Sequence, residues 1–207
     1  MRRKQLELLL SRVPLHPNPK VELEQYTTPA TLAATLLWFA QFHYRDLEGK
    51  RVLDLGCGTG RLGIGAALLG AEYVVLLDVD LEALGVAKKA ASSLGVASSV
   101  DFVNADASQP PFRPGQVFDT VVQNPPFGVH HRGYDVLFIT AACSLAKVVY
   151  SLHKRSTEPF VRSKFNELGF ASEAILRERI CIPHMYSFHR KTIHCFDVTA
   201  IRATARE

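Results

Sequence analysis

From Arg51 onward the chain alternates between short runs of aliphatic and β-branched residues and longer stretches whose apolar positions recur three and four apart. RVLDL (51–55) reads as a strand and RLGIGAALLG (61–70) as the helix after it. YVVLLDV (73–79) and LEALGVAKKAASSLG (81–95) repeat the pair. SVDFVNAD (99–106) and FDTVVQ (118–123) are two more strands, a helix is expected from about Tyr134, and KVVYSLH (147–153) is the fifth strand. EPFVRSKFNELGF (158–170) reads as a helix with Glu158 and Pro159 in its first turn and Gly169 at its end. ILRERICIP (175–183) and IHCFDVTAIRA (193–203) then follow with no helix between them. Alternating strands and helices predict a parallel sheet covered on both faces, and the closing pair predicts an antiparallel hairpin at one edge.

Upstream, Leu6, Leu9 and Leu10 give a short amphipathic helix. Thr28-Pro29 resembles an N-cap with proline at the first helical position, opening ATLAATLLWFAQF (30–42). The expected architecture is a doubly wound, Rossmann-like α/β domain over residues 49–207, with a mostly parallel seven-stranded sheet and an antiparallel C-terminal hairpin. Residues 1–48 are expected to form an N-terminal helical cap on it.

Composition changes this picture little. With 207 residues, 47% apolar and 21% charged, the chain suits one domain with a full core. The apolar stretch TLAATLLWFAQF is too short to span a bilayer, and MRRKQLELLLSR lacks the apolar region and cleavage site of a leader, so a cytoplasmic location is expected. Charge is uneven: from Lys147 on there are 11 Lys/Arg against 6 Asp/Glu, a bias that suits a polyanionic partner. Cys57, Cys143, Cys181 and Cys195 show no metal-type spacing and are expected as reduced thiols. His184, His189 and His194 with Cys195 are irregularly spaced across the hairpin, and no metal is expected.

Candidate chemistry begins where the first strand ends, in DLGCGTGRLG. Glycines stand at 56, 58, 60 and 63, and Asp54 with the first three of them matches D-x-G-x-G-x-G in full. That pattern is typical of methyltransferases that use S-adenosylmethionine. Asp78 ends the second strand, where an acid can take two ribose hydroxyls, and Asp106 follows the third, where it could accept from an adenine amino group. Asp80 reads as a helix cap. Three acids at three successive strand ends point to one pocket at the switch point of the sheet.

The fourth strand runs into Asn124-Pro125-Pro126-Phe127. Proline stops the strand and holds the residue before it extended, so an amide, two carbonyls and a ring are fixed in place. Such a tetrapeptide suits methylation of a planar amino nitrogen, whose delocalised lone pair makes it a poor nucleophile. The Asn124 side-chain oxygen and the Pro125 carbonyl can each accept one N–H from it and aim the lone pair at the methyl group. Phe127 could stack on a base, a contact worth about 1–3 kcal/mol, with Gly128 leaving room.

LEQYTTP (23–29), DLGCGTGRLGIGAALLGA (54–71), DVD (78–80), NPPFG (124–128), YSLHK (150–154) and YSFHRK (186–191) together resemble the methyltransferase-like five family, across nearly the whole chain. The resemblance implies methylation of adenosine N6 in small-subunit ribosomal RNA. It also implies that Gln25 and Thr28 close over the cofactor, with Gly56, Thr59, Arg61, Asp78, Asp106 and Ala107 lining its pocket beside Asp54, Gly58 and Gly60. Thr59 stands where eukaryotic members tend to have cysteine. His189, Arg190 and Lys191 would lie near the RNA, in contact with phosphate. Eukaryotic members work with a small zinc-ribbon activator protein, and the third strand, SVDFV, is the expected free edge for it. Two other readings stay open: glutamine-N5 methylation of a protein, which uses a similar tetrapeptide, and a non-catalytic RNA-binding assembly factor.

Overall fold

A computed structural model describes the chain apart from residues 114, 116, 128–132, 184–192 and 207. Its helices are α1 Arg3–Leu10, α2 Ala30–Phe42, α3 Arg61–Leu68, α4 Leu81–Ser93, α5 Tyr134–Leu145 and α6 Glu158–Glu167. Its strands are β1 Arg51–Leu55, β2 Tyr73–Asp78, β3 Val100–Asn104, β4 Phe118–Gln123, β5 Ala146–Lys154, β6 Phe170–Pro183 and β7 Ile193–Ala205. They form one sheet in the order β3-β2-β1-β4-β5-β7-β6. The first five are parallel, and β7 runs antiparallel to both β5 and β6.

The central strands are apolar on both faces because both faces are covered. Val52, Leu76, Val122 and Leu152 pack in one layer with Leu36 and Leu37 of α2 and Ile64 of α3. Leu53, Leu77, Val121 and Val149 point the other way, onto Phe138 and Ile139 of α5 and Val161 and Phe165 of α6. α2 is apolar nearly all round because it lies against α1 and α3, with Leu32, Ala33, Ala34, Leu36, Leu37 and Ala40 buried.

Three expectations need correction. Thr28 does not cap α2: the helix begins at Ala30 behind Pro29, and the Thr28 hydroxyl accepts a hydrogen bond from Asn124 instead. β6 begins at Phe170, not Ile175, because its small and polar FASEA start pairs with the end of β7, with a register shift between Ala174 and Leu176. Cys181 and Cys195 are not reduced thiols. They are direct partners in the β6–β7 register, with Cα atoms 4.0 Å apart, and form a disulfide, a cross-strand neighbourhood that spacing along the chain does not reveal. Cys57 and Cys143 are free and half-buried. His184 and His189 lie outside the described residues, and so does the side chain of His194.

Candidate active site

The strand order reverses between β1 and β4, and a cleft opens at their carboxyl ends. β1 leads into a tight loop whose Gly56 and Cys57 N–H groups donate to the Leu77 carbonyl at 2.8 and 2.9 Å, tying it to the end of β2. Gly60 then turns the chain into α3 with φ +84°, a left-handed conformation that favours glycine. The Asp54 carboxylate, buried at the end of β1, accepts from the Gly63 N–H at 2.7 Å. Asp78 accepts from Gly58 N–H at 2.7 Å and Asp80 N–H at 2.9 Å. A carboxylate has about four acceptor positions, so Asp78 retains capacity for the two hydroxyls of a ribose.

The cleft holds ≈ 950 Å³, open mouth included, within the range of small-molecule sites. Of the residues expected at the cofactor, Gln25, Thr28, Asp54, Gly56, Gly58, Thr59, Arg61, Asp78, Asp106 and Ala107 all line it, and so do Asn124 and Pro126. Gly60, Pro125 and Phe127 do not line it. Gly60 packs beneath the loop against Leu76 and Ala87, and Phe127 packs against the Tyr26 and Phe196 rings with the Lys154 ammonium 5.4 Å above it. Asp106 is exposed and caps Ser108 N–H at 2.8 Å. Gly128, His189, Arg190 and Lys191 lie outside the described residues.

Of the strap that closes the cleft, the irregular stretch between α1 and α2, sequence reasoning named Gln25 and Thr28 but missed His16, Lys20 and Tyr26. Asp80 does cap α4 through Glu82 N–H, as expected, but it also gathers His16, Lys20 and Gln25 at 2.9–3.1 Å. Asn18 N–H donates to His16 Nδ1, so Nε2 is the nitrogen that donates to Asp80. Burial opposes the Asp80 charge, but these donors outweigh it and hold the carboxyl below its usual range. Arg61 braces the strap from α3, donating to the Thr28 and Val13 carbonyls at 2.6 and 2.7 Å, and burial lowers its pKa to about 10. Tyr26 and Thr28 grip Asn124: the Tyr26 hydroxyl donates to Asn124 Oδ1 and Asn124 Nδ2 donates to Thr28 Oγ1, both at 2.9 Å. Neither His16 nor Tyr26 carries a local signal, because their partners lie 64 and 98 residues away.

S-adenosylmethionine fits this donor set. Thr59 Oγ1 and Arg61 Nε are buried without a hydrogen-bond partner among the described residues, and both residues line the cleft. Asp54 and Asp78 supply negative charge for a cationic ligand. An acid-lined cleft at the switch point of a mostly parallel sheet, beside a proline-fixed asparagine, defines a methyltransferase of the Rossmann-like class, with S-adenosylmethionine as methyl donor. The methyltransferase small domain family matches residues 33–147. The chain is 37% identical to zebrafish rRNA N(6)-adenosine-methyltransferase METTL5 over 206 residues, 99% of each protein. It is 38% identical to the fruit-fly Mettl5 over 191 residues, 91% of this chain and 89% of that one. The crystal structure of PH1948 from Pyrococcus horikoshii superposes with a TM-score of 0.90 at 36% identity, covering 100% of this chain and 99% of that one. The chain belongs to the METTL5 family.

Burial, with the Asp78 charge behind it, raises the Asp54 pKa to about 7 against the hydrogen bond from Gly63. A raised carboxyl favours folding fully below its unfolded value and loses that contribution as pH climbs through about 7. A cationic ligand reverses the preference by stabilising the ionised form. S-adenosylmethionine should therefore bind about tenfold more tightly at pH 8 than at pH 6, with proton release on binding near pH 6.5. Calorimetry in two buffers of different ionisation enthalpy checks this, and binding with no proton release across that range would refute it.

Proposed function

We propose that this methyltransferase acts in the cytoplasm on the exocyclic N6 of an adenosine in RNA, most simply small-subunit ribosomal RNA. The observation that carries the reading is the Asn124 carboxamide, fixed at the end of β4 in the wall of the acid-lined cleft. The METTL5 relatives named as rRNA N6-adenosine methyltransferases supply the substrate class.

When bound, S-adenosylmethionine supplies an electrophilic methyl group on a positively charged sulfur. Asp78 would hold the ribose hydroxyls, Asp106 the adenine amino group, and the 56–61 loop with Gln25 and Thr28 would enclose the rest. At the acceptor side, Asn124 Oδ1 and the Pro125 carbonyl would each take one N–H of the target amine. The two bonds draw its nitrogen toward a pyramidal form, and because the prolines set the acceptors in advance, little reorganisation is left for the transition state. Methyl transfer leaves the nitrogen carrying an extra proton, which it sheds to water, so no general base is needed first. Phe127 would present a stacking surface once a base enters, displacing the Lys154 ammonium that lies over its ring. A paired N6 cannot reach such a cleft, so the target is single-stranded or flipped out. His189, Arg190 and Lys191 would meet backbone phosphate.

The partner in this reading is a small zinc-ribbon activator paired along β3. Among the described strands β3 is an edge bonded to β2 alone, and it presents half-buried Phe102 and Val103 between exposed Asp101 and Asn104. Nucleoside mass spectrometry of small-subunit RNA incubated with S-adenosylmethionine and the protein, with and without the activator, tests both points. New N6-methyladenosine, increased by the activator, is the expected result. Methylated glutamine on a protein substrate instead would move the acceptor from base to amide. Cofactor binding with no transfer to either would favour a non-catalytic assembly role.

A further inference from the structure

Residues 24–28 face two ways. Glu24, Tyr26 and Thr28 all reach the acceptor motif: Glu24 Oε2 accepts the Phe127 N–H at 2.7 Å, and Tyr26 and Thr28 hold the two ends of the Asn124 carboxamide. Gln25 between them turns to Asp80 on the cofactor side. Glu24 adopts φ +49°, an uncommon conformation for a residue with a side chain, at the point where its carboxylate must meet Phe127 N–H. The Tyr26 ring lies 5.5 Å from that of Phe127 and 6.2 Å, edge on, from that of Phe196, so the phenol cannot swing freely.

An asparagine side chain rotates about a broad, roughly two-fold torsion, and a strand-end carboxamide left to water would sample it. Here a hydroxyl sits at each end and holds the plane of the carboxamide, with Tyr26 donating to the oxygen and Thr28 accepting from the nitrogen. The oxygen has two lone pairs. Tyr26 takes one and the other remains for an incoming N–H. Burial, reinforced by the charge of Glu24, lifts the Tyr26 phenol well above its ordinary range, so it stays a donor throughout the working pH range.

We propose that Tyr26 is a positioning residue for methyl transfer: its hydroxyl, working against Thr28, locks the Asn124 carboxamide with one lone pair of Oδ1 aimed at the target amine. The inference rests on the reading of Asn124 as acceptor of that amine. It assigns Tyr26 a role that neither the glycine loop nor the proline motif contains. Glu24 does the same for the ring end of the motif by fixing the Phe127 backbone.

Tyr26→Phe removes the hydroxyl and keeps the ring. The expected result is a fall in kcat of about tenfold, with the KM for RNA and the Kd for S-adenosylmethionine within about twofold and a melting temperature lowered by a few degrees at most. A purely structural hydroxyl would not produce that split. An unchanged kcat overturns the proposal, and so does a raised one, which would mean that the hydroxyl competes with the amine for the oxygen. Hydrogen exchange of the Asn124 side-chain amide, assigned by its absence from the spectrum of Asn124→Ala, gives a readout independent of activity. It should be several-fold faster in Tyr26→Phe, and equal exchange overturns the lock. If the wild-type protein methylates no RNA, the acceptor reading fails by itself and the exchange rates still decide the lock.

Discussion

Replacing Asn124 by alanine lowers kcat by roughly 10²–10³-fold, the loss typical of removing one preorganised polar contact to a transition state. The effect is this large because Asn124 offers the side-chain acceptor that the Tyr26 and Thr28 hydroxyls already orient, and water entering the gap carries no such orientation. Binding of S-adenosylmethionine should change far less. Asn124 borders the cofactor cleft without contributing charge, and the carboxylates of Asp54 and Asp78 are untouched. Some stability is also lost, because the Tyr26 hydroxyl is left without its partner at a cost of about 1–3 kcal/mol. Single-turnover kinetics beside calorimetric titration of the cofactor separate the two effects. A kcat within fivefold of wild type would remove Asn124 from the chemistry.

The second large effect is on folding. Gly60→Ala should destabilise the protein by about 2–4 kcal/mol, combining backbone strain with overpacking. A Cβ at Gly60 would sit 2.5 Å from Leu76 Cδ2 and 3.0 Å from Ala87 Cβ, and φ +84° is itself unfavourable for alanine. Leu76 is fully buried in the sheet and cannot retreat without disturbing β2. At about 2–4 °C per kcal/mol for a chain of this size, the melting temperature drops by ~5–15 °C. Gly85→Ala provides the contrast: that glycine lies within α4 with open space around its Cα, so the same added methyl should stabilise by up to about 1 kcal/mol. Thermal unfolding of both variants checks the pair, and a Gly60→Ala transition at the wild-type temperature would contradict the packing argument.

Much of the sheet was legible before any coordinates. RVLDL, FDTVVQ and ATLAATLLWFAQF coincide with β1, β4 and α2 at both ends, because proline, glycine or an acidic turn brackets each of them and the apolar period within is unbroken. The glycine loop and the three strand-end acids were legible for the same reason: their chemistry is compressed into a few consecutive residues at predictable strand ends. What escaped was everything whose partner is remote. Residues 11–29 have neither period: family likeness in LEQYTTP placed Gln25 and Thr28 at the cofactor, but no local pattern connects His16 to Asp80 or Tyr26 to Asn124. Thr28 was read as a helix cap because Thr-Pro is a strong local cue, yet a long-range amide took its hydroxyl. Cys181 and Cys195 escaped because 14 residues of separation become direct opposition only once the hairpin folds.

The strand order also has a consequence for how the protein is made. β7 is synthesised after β6 yet lies between β6 and β5 in the sheet. While the chain emerges from the ribosome, β1 to β5 can assemble as their helices form, but β6 has no place to dock and its 14 residues wait unpaired. Burial of Ile201 and Ala203 against the α5 and α6 layer waits for the same event. The nascent chain therefore carries an open β5 edge and a loose β6 together until β7 inserts between them, the interval in which such chains are most exposed to mispairing.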